Sequence, residues 1–211
     1  MLFKETVGQP ALELLKSLMK DKAFDGFFLV GGTALSLQLG HRISIDLDLF
    51  TKEPFDQDKL ADHLRLKYSF ILDFISDNTI KGEAGSIQLD CISHRYPLLE
   101  EIKETEGVRL ASLIDIAAMK LNAISGSGTR LKDFIDIAFL SERFSLNNML
   151  QAYEKKYHSN KLMPLKAVVY FDDINFEQPI ILAGDRSFDW KSIENRLQEM
   201  HRNPDKVLGK L

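Results

Sequence analysis

The chain has 211 residues, 45% of them hydrophobic, with one cysteine and a formal net charge of −4. That is enough apolar material for a sizeable core in one compact unit or two small lobes, and two lobes sharing a cleft is the organisation we expect. Cys91 alone excludes an intramolecular disulfide and a Cys-rich zinc site, and the modest charge gives no global attraction to nucleic acid, although a local basic patch can still bind phosphate-rich ligands. No stretch approaches the roughly 18 apolar residues that span a bilayer. The opening MLFKETVGQP has no apolar core behind a basic start, so a soluble, cytoplasmic protein is expected.

In chain order, Leu12, Leu15, Leu18 and Met19 form the stripe of a first helix, and Phe27-Phe28-Leu29-Val30 reads as a short buried strand ended by Gly31-Gly32. Thr33 stands where a helix N-cap belongs, ahead of Ala34, Leu35 and Leu37, and Gly40 supplies the stop. From Ile43 to Phe50 the sequence alternates: Ile43, Ile45, Leu47 and Leu49 share one face, while Ser44, Asp46 and Asp48 share the other. This predicts a strand with carboxylates on its second face. Asp56 or Asp58 then caps a helix reaching about Leu66, Ser69 to Ile75 is a further strand, and Ser86 to Ile92 is a strand with Gln88 and Asp90 on one face.

From Ser112 the period turns helical. Ser112 and Asp115 resemble a capping box, and the apolar run continues to Ile124. Ser125-Gly126-Ser127-Gly128 is the most linker-like stretch; helices follow from Leu131 to about Phe144 and from Leu146 to Tyr157, and Asp189 caps a terminal helix with Trp190, Ile193 and Leu197 on one stripe. These residues, with Phe134 and Phe139, read as core packing, and Cys91 likewise. The five histidines have no metal-ligand spacing, so no zinc is assigned.

The constellation that carries chemistry is Gly31-Gly32-Thr33 followed, after a helix-length gap, by Asp46-Leu47-Asp48. Two glycines let backbone approach a phosphate closely, the N–H groups opening a helix offer donors and partial positive charge to an anion, and the Thr33 hydroxyl can add a contact. Residues i and i+2 of a strand point the same way, so Asp46 and Asp48 present hard oxygen ligands side by side, which suits magnesium, or manganese in its place. Asp90 completes a metal set of Asp46, Asp48 and Asp90 if its strand lies alongside, giving three carboxylates able to hold two ions about 4 Å apart; an edge or solvated face would hold Asp90 equally well. Gly-Gly ends many strands, and His41 and Arg42 after a helix stop can simply complement the helix dipole. The alternative is that Arg42 contacts a phosphate while Ser44 orients the site. Lys120, surrounded by apolar residues, either reaches to solvent or points into a cleft. Asp133 and Asp136 share a helix face that can be a solvated one, with Lys132 and Asp136 spaced for an exposed ion pair.

At Phe28-Leu29-Val30-Gly31-Gly32-Thr33, Asp46-Leu47-Asp48 and Leu89-Asp90-Cys91, together with Gly40-His41-Arg42-Ile43-Ser44, the sequence resembles the AbiEii/AbiGii-type toxins of the nucleotidyltransferase superfamily, which share the DNA polymerase beta-like fold. The resemblance extends through Asp115 to Ala123 and Lys132-Asp133-Phe134-Ile135-Asp136-Ile137, and so covers residues 27 to 140. It implies that Lys120 and Asp133 assist nucleotide binding and catalysis, with Lys132 and Asp136 as further nucleotide-binding candidates. The stretch Ser125 to Arg130 departs from the Arg-rich spacing usual between the two phrases, which alters the electrostatics expected of that loop.

The expected architecture is therefore α/β (α+β): a nucleotidyltransferase-fold mixed sheet with flanking helices over residues 1–107, and a mainly helical C-terminal lobe over 108–211 that closes the nucleotide cleft. The expected reaction transfers a nucleoside monophosphate from an NTP to an acceptor hydroxyl. Catalysis falls to Asp46, Asp48, Asp90, Lys120 and Asp133, and nucleotide binding to Gly31, Gly32, Thr33, Arg42, Ser44, Lys132 and Asp136. The resemblance implies an RNA acceptor, such as a tRNA 3′ end, and the role of a toxin held by an antitoxin protein. The same chemistry also serves a protein or small-molecule hydroxyl, and a non-catalytic nucleotide-binding module is the alternative from another class.

Overall fold

The computed structural model describes residues 1–184 and 186–211, and the chain divides into two compact units: residues 1–96 with 102–111, and 97–101 with 112–211. The division falls after Ala111 rather than after residue 107, because the strand Val108–Leu110 belongs to the sheet of the first unit. Among the described residues no helix is long and apolar enough to cross a membrane.

The first unit is a mixed sheet. Its strands are β1 (Phe28–Val30), β2 (Leu47–Thr51), β3 (Phe70–Ser76), β4 (Thr79–Ala84), β5 (Ile87–Ser93), β6 (Lys103–Thr105) and β7 (Val108–Leu110), in the order β3-β4-β5-β2-β1-β7-β6. β1 pairs antiparallel with β2 and parallel with β7, and β2 pairs parallel with β5. Helices α1 (Gln9–Met19), α2 (Gly31–Leu39) and α3 (Gln57–Tyr68) complete it. α1 buries the expected stripe Leu12, Leu15, Leu18 and Met19, α2 ends on Gly40 in the left-handed region (φ 65°), and Asp56 caps α3 by accepting from the Lys59 N–H.

Three expectations are corrected here. Strand β2 starts at Leu47, not Ile43; Ile45 is 48% exposed and does not share the buried face of Leu47 and Leu49. Alternation alone extended the strand because it does not register that residues 43–46 lie beyond the pairing partners offered by β1 and β5. Thr33 is not an N-cap: Val30 holds that position, and Thr33 lies inside α2, fully buried. Strands β4, β6 and β7 have no counterpart among the expected elements.

Arg109, on β7, ties the end of α1 to the sheet by donating to the carbonyls of Met19 (3.0 Å), Phe24 (2.7 Å) and Phe27 (2.7 Å). Asp21 does a similar job for α3. Its Oδ2 lies 2.7 Å from His63 Nε2 and accepts from Lys67 Nζ and Tyr68 Oη at 2.8 Å each. Burial works to raise the Asp21 pKa, but the bonds from Lys67, His63, the Ala23 N–H and Tyr68 outweigh it and hold the carboxyl well below the ordinary carboxylate range. A carboxyl with a depressed folded pKa contributes stability above its unfolded pKa of about 3.9, and that contribution is lost as pH falls through the folded value. Asp21→Asn should therefore lower the thermal midpoint at neutral pH and flatten the acid limb of the stability curve below about pH 4. Curves of wild type and variant that stay parallel throughout the acid range would contradict this.

The second unit is helical: α4 (Leu113–Gly126), α5 (Leu131–Leu140), α6 (Leu146–Tyr157), α7 (Leu162–Ala167) and α8 (Trp190–Arg202). Ser112 caps α4 by accepting from the Asp115 N–H, and Asp189 caps α8. α4 continues through Ser125 and Gly126, so half of the linker-like stretch is helix, and α5 stops at Leu140 rather than near Phe144. Phe134, Phe139, Ile193 and Leu197 are buried, and Trp190 packs edge-on against Phe171 and Phe176 at 5.3 and 5.2 Å. Two fully buried charges, Asp115 and Lys156, pair at 2.8 Å. Asp115 also accepts from the N–H groups of Leu99 and Glu100 and from the Ser112 hydroxyl, and Lys156 donates to the Pro97 carbonyl, which binds residues 97–101 to this unit.

Candidate active site

Sheet register places the first-unit carboxylates. Val30 lies opposite Asp48 on β1 and β2, Asp48 opposite Asp90 on β2 and β5, and Asp90 opposite Lys81 on β5 and β4. Directly opposed residues share a sheet face, so Asp48, Asp90 and Lys81 form one charged row. Leu47, Leu49, Ile80, Leu89 and Cys91 fill the other face and are buried. Their packing pins the register, since a slip of one residue would turn the carboxylates into the core.

Asp46 stands one residue ahead of β2, and the buried Thr33 holds it there. The Thr33 hydroxyl donates to the Asp46 carbonyl at 2.5 Å and lies 3.0 Å from the Ser44 hydroxyl. Thr33 and Ser44 thus act on the backbone that carries Asp46, and the Thr33 hydroxyl is not presented at the surface for a phosphate. Thr33→Val keeps the shape and removes the bond. We expect transfer activity to fall about tenfold or more with a stability loss of about 1 kcal/mol; a variant as active as wild type would show that Asp46 needs no such support.

Both glycines are required for close approach. Gly31 opens α2 at φ 69°, a conformation that favours glycine, and a Cβ there would fall on the Asp48 carboxylate. A Cβ on Gly32 would strike the Arg42 guanidinium and lie 3.1 Å from Ser44 Oγ. Arg42 is buried, with Nη1 donating to the Ile43 carbonyl at 3.1 Å, and His41 is buried too, so neither is the exposed dipole-complementing cation that the helix stop also allowed. The first N–H groups of α2, which have no partner within a helix, open beside this glycine pair.

Asp90 has a partner that sequence reading missed. Lys81 Nζ donates to Asp90 Oδ2 at 2.6 Å. A signal was available: Gly85 (φ 66°) and Ser86 form a two-residue turn, and counting back from the pair Ala84 and Ile87 sets Lys81 against Asp90. Among the described residues no group of three or more His, Cys, Asp or Glu side chains is gathered to hold a metal ion. Asp90 turns one oxygen to Lys81 while the register keeps it directly opposite Asp48. Asp46 and Asp48, hard oxygen donors beside a glycine cradle that a Cβ would fill, fit a divalent cation with a phosphate group in chemistry. Behind them, burial and then the Asp90 charge push the Cys91 thiol up, so it stays neutral and is no nucleophile.

In the second unit, Lys120 is buried and its Nζ pairs with both Asp133 Oδ1 (2.6 Å) and Asp136 Oδ2 (2.7 Å). The two aspartates are 2% and 0% exposed, so the solvated-face reading fails for them, and Asp136 takes Lys120 rather than the expected Lys132. Lys132 is half-buried. Arg130 Nε approaches Asp133 Oδ2 at 3.8 Å.

The family described as nucleotidyl transferase AbiEii toxin, type IV TA system, matches residues 13–97 and 69–205. An uncharacterised protein of Aquifex aeolicus (strain VF5), aq_aa25, is 32% identical over 172 residues, which cover 78% of this chain and 83% of that one. Among solved structures, a Helicobacter pylori protein described as a candidate nucleotidyltransferase is similar with a TM-score of 0.56 at 18% identity, covering 94% of this chain and 96% of that one. JHP933 from Helicobacter pylori is similar with a TM-score of 0.52 at 19% identity, covering 94% and 93%. At these identities the two structures speak for the fold.

Proposed function

The chain belongs to the AbiEii family of nucleotidyl transferase toxins of type IV toxin–antitoxin systems and is a nucleotidyltransferase; on that footing we propose that it moves a nucleoside monophosphate from an NTP to a hydroxyl of RNA, with a tRNA 3′ end as acceptor. The observation that carries the reading is the glycine pair set so close to Asp48 and Arg42 that no side chain fits between them. That packing sets a carboxylate and a guanidinium against the start of α2, whose first N–H groups favour an anion.

In this reaction the acceptor hydroxyl oxygen bonds to the α-phosphorus, the bond from that phosphorus to the bridging oxygen breaks, and pyrophosphate leaves with the electron pair. Mg2+, or Mn2+, held by Asp46 and Asp48 would supply charge to the phosphate oxygens when bound. Gly31 and Gly32 give the triphosphate backbone access, and Thr33, Ser44 and Arg42 hold the segment that carries Asp46. Asp90 accepts the acceptor's proton and passes it to solvent. Lys120 and Asp133, which the family resemblance nominates for nucleotide binding and catalysis, together with Lys132 and Asp136, lie in the second unit. The site of action is the cytoplasm, where NTPs and tRNA meet, and a cognate antitoxin protein is the partner that restrains it.

Incubation with each labelled NTP, Mg2+ and total RNA tests this reading. Label at tRNA 3′ ends, with RNA binding that weakens steeply as salt rises, is the expected result. Label on protein or on a small hydroxyl compound would replace the acceptor, and no label on any acceptor would leave a nucleotide-binding module.

A further inference from the structure

The stretch from Ser125 to Gly128 has no step in the transfer reaction, yet it forms one wall of a cleft of about 330 Å³ that lies within the second unit. Across from it stand Met163 and Lys166 of α7 and, further along the chain, Tyr170 and Asp173. A volume near the lower end of the range for ligand sites suits a single small ligand, of the size of one nucleotide. Met163 is 62% exposed and Tyr170 50%, so a thioether and an aromatic ring stand open to water. Lys166 and Asp173 are exposed too, and neither side chain has an ion pair or hydrogen bond among the described residues. The walls themselves are tied down. Val168 and Ile174, on either side of Tyr170, are buried, the Asn175 N–H donates to the Thr129 carbonyl at 2.9 Å, and Ser127 Oγ lies 2.8 Å from Thr129 Oγ1. A site formed in advance loses less to ordering when a ligand arrives.

Charge decides what that ligand is. The cleft lies at the C-terminal end of α4, where the last carbonyls of a helix lack partners and carry partial negative charge, and Asp173 adds a full one. These groups take hydrogen-bond donors and disfavour a bare anion. Lys166 supplies the opposite sign on the α7 side. A ligand that satisfies both carries an amino group and a phosphate, and the Tyr170 ring calls for a flat, stackable body between them.

Resting on the reading of RNA as the acceptor, we propose that this cleft binds one unpaired, amino-bearing nucleotide of that RNA. Its base stacks on Tyr170 beside Met163, its exocyclic amine donates to Asp173, and a backbone phosphate meets Lys166. Stacking on an aromatic ring is open to any base. A carboxylate, in contrast, accepts from the N4 amine of cytosine and has nothing to accept from the O4 carbonyl of uracil.

Fluorescence polarisation of labelled oligo(C) and oligo(U) with the full chain, in EDTA and without NTP, reads binding apart from transfer. Wild type should bind oligo(C) about fivefold more tightly than oligo(U), and free CMP should displace it only at far higher concentration. Tyr170→Ala should weaken both oligonucleotides about tenfold, with Tyr170→Phe close to wild type. Asp173→Asn should erase or reverse the preference for oligo(C), because the amide offers a donor as well as an acceptor. Lys166→Met should lower the salt slope by about 0.7, the share of one phosphate on a single strand, and Lys166→Arg should restore it. Oligo(C) bound by wild type and unaffected by Tyr170→Ala and Lys166→Met overturns the site and leaves RNA as the acceptor. Equal affinity of wild type for oligo(C) and oligo(U) overturns the role of Asp173 and with it the amino-bearing ligand, and CMP bound as tightly as oligo(C) overturns RNA as the source in favour of a free nucleotide. Binding to neither oligonucleotide nor tRNA overturns the RNA reading and the cleft together. Far-ultraviolet circular dichroism of each variant confirms that the chains compared are folded.

Discussion

Asp48→Asn should lower the rate of nucleotidyl transfer by about 10³-fold or more, equivalent to about 4 kcal/mol of lost transition-state stabilisation. Asp48 stands at the end of the charged row, between Val30 and Asp90, and its carboxylate fills the place where any side chain on Gly31 would go. The amide keeps that shape and removes the charge. Because the amide is the same size as the carboxylate, the chain should still melt in one cooperative transition while activity is lost. Steady-state rates and a melting curve on the same preparation check both halves. A variant that loses activity only by unfolding would count against the role given to Asp48.

The largest effect on stability is expected in the second unit. Asp115→Ala leaves the Lys156 ammonium buried without its anion and strips the Leu99 and Glu100 N–H groups of their acceptor. Breaking a buried pair from one side costs about 3–5 kcal/mol, whereas replacing both partners by apolar groups costs far less. Asp115→Ala should therefore lower the urea midpoint sharply, and Asp115→Ala/Lys156→Met should recover part of the loss. Equal destabilisation by the single and double variants would show that the N–H groups of 97–101, rather than the stranded charge, set the cost.

Those parts of the candidate site that follow short-range rules are legible in the sequence. Asp48 could be read from the period of two around Leu47 and Leu49, and the glycines from the strand end at Val30. Thr33 reads from the sequence as an N-cap, whereas it lies inside α2. The N-cap signature Ser/Thr/Asp/Asn is local, whereas the acceptor of its hydroxyl lies thirteen residues on, at Asp46. Lys120, Asp133 and Asp136 show the same limit from another side. Helical spacing puts the two aspartates on one face, but only the packing of α4 with α5 says that this face is buried and that a lysine bridges it.

The short strands were the hardest to see. β6 and β7 are three residues each and joined by Glu106-Gly107, both at positive φ, which marks a tight hairpin turn only once the flanking segments are known to pair. β4 carries Gly82 and three charged or polar residues among six, a composition that weakens a strand reading, and its identity comes from pairing with β3 and β5. Missing β4 meant missing Lys81, the partner of Asp90.

Nucleotidyl transfer is defined by which phosphorus of the nucleotide travels. Parallel reactions with α-labelled and γ-labelled NTP, Mg2+ and total RNA, run with wild type and Asp48→Asn, decide it. We predict that the α-label enters RNA with wild type, that the γ-label appears only in released pyrophosphate, and that Asp48→Asn yields neither. Transfer of the γ-label to the acceptor, or equal α-label incorporation by the two proteins, would contradict the assignment of nucleotidyl transfer to this row of carboxylates.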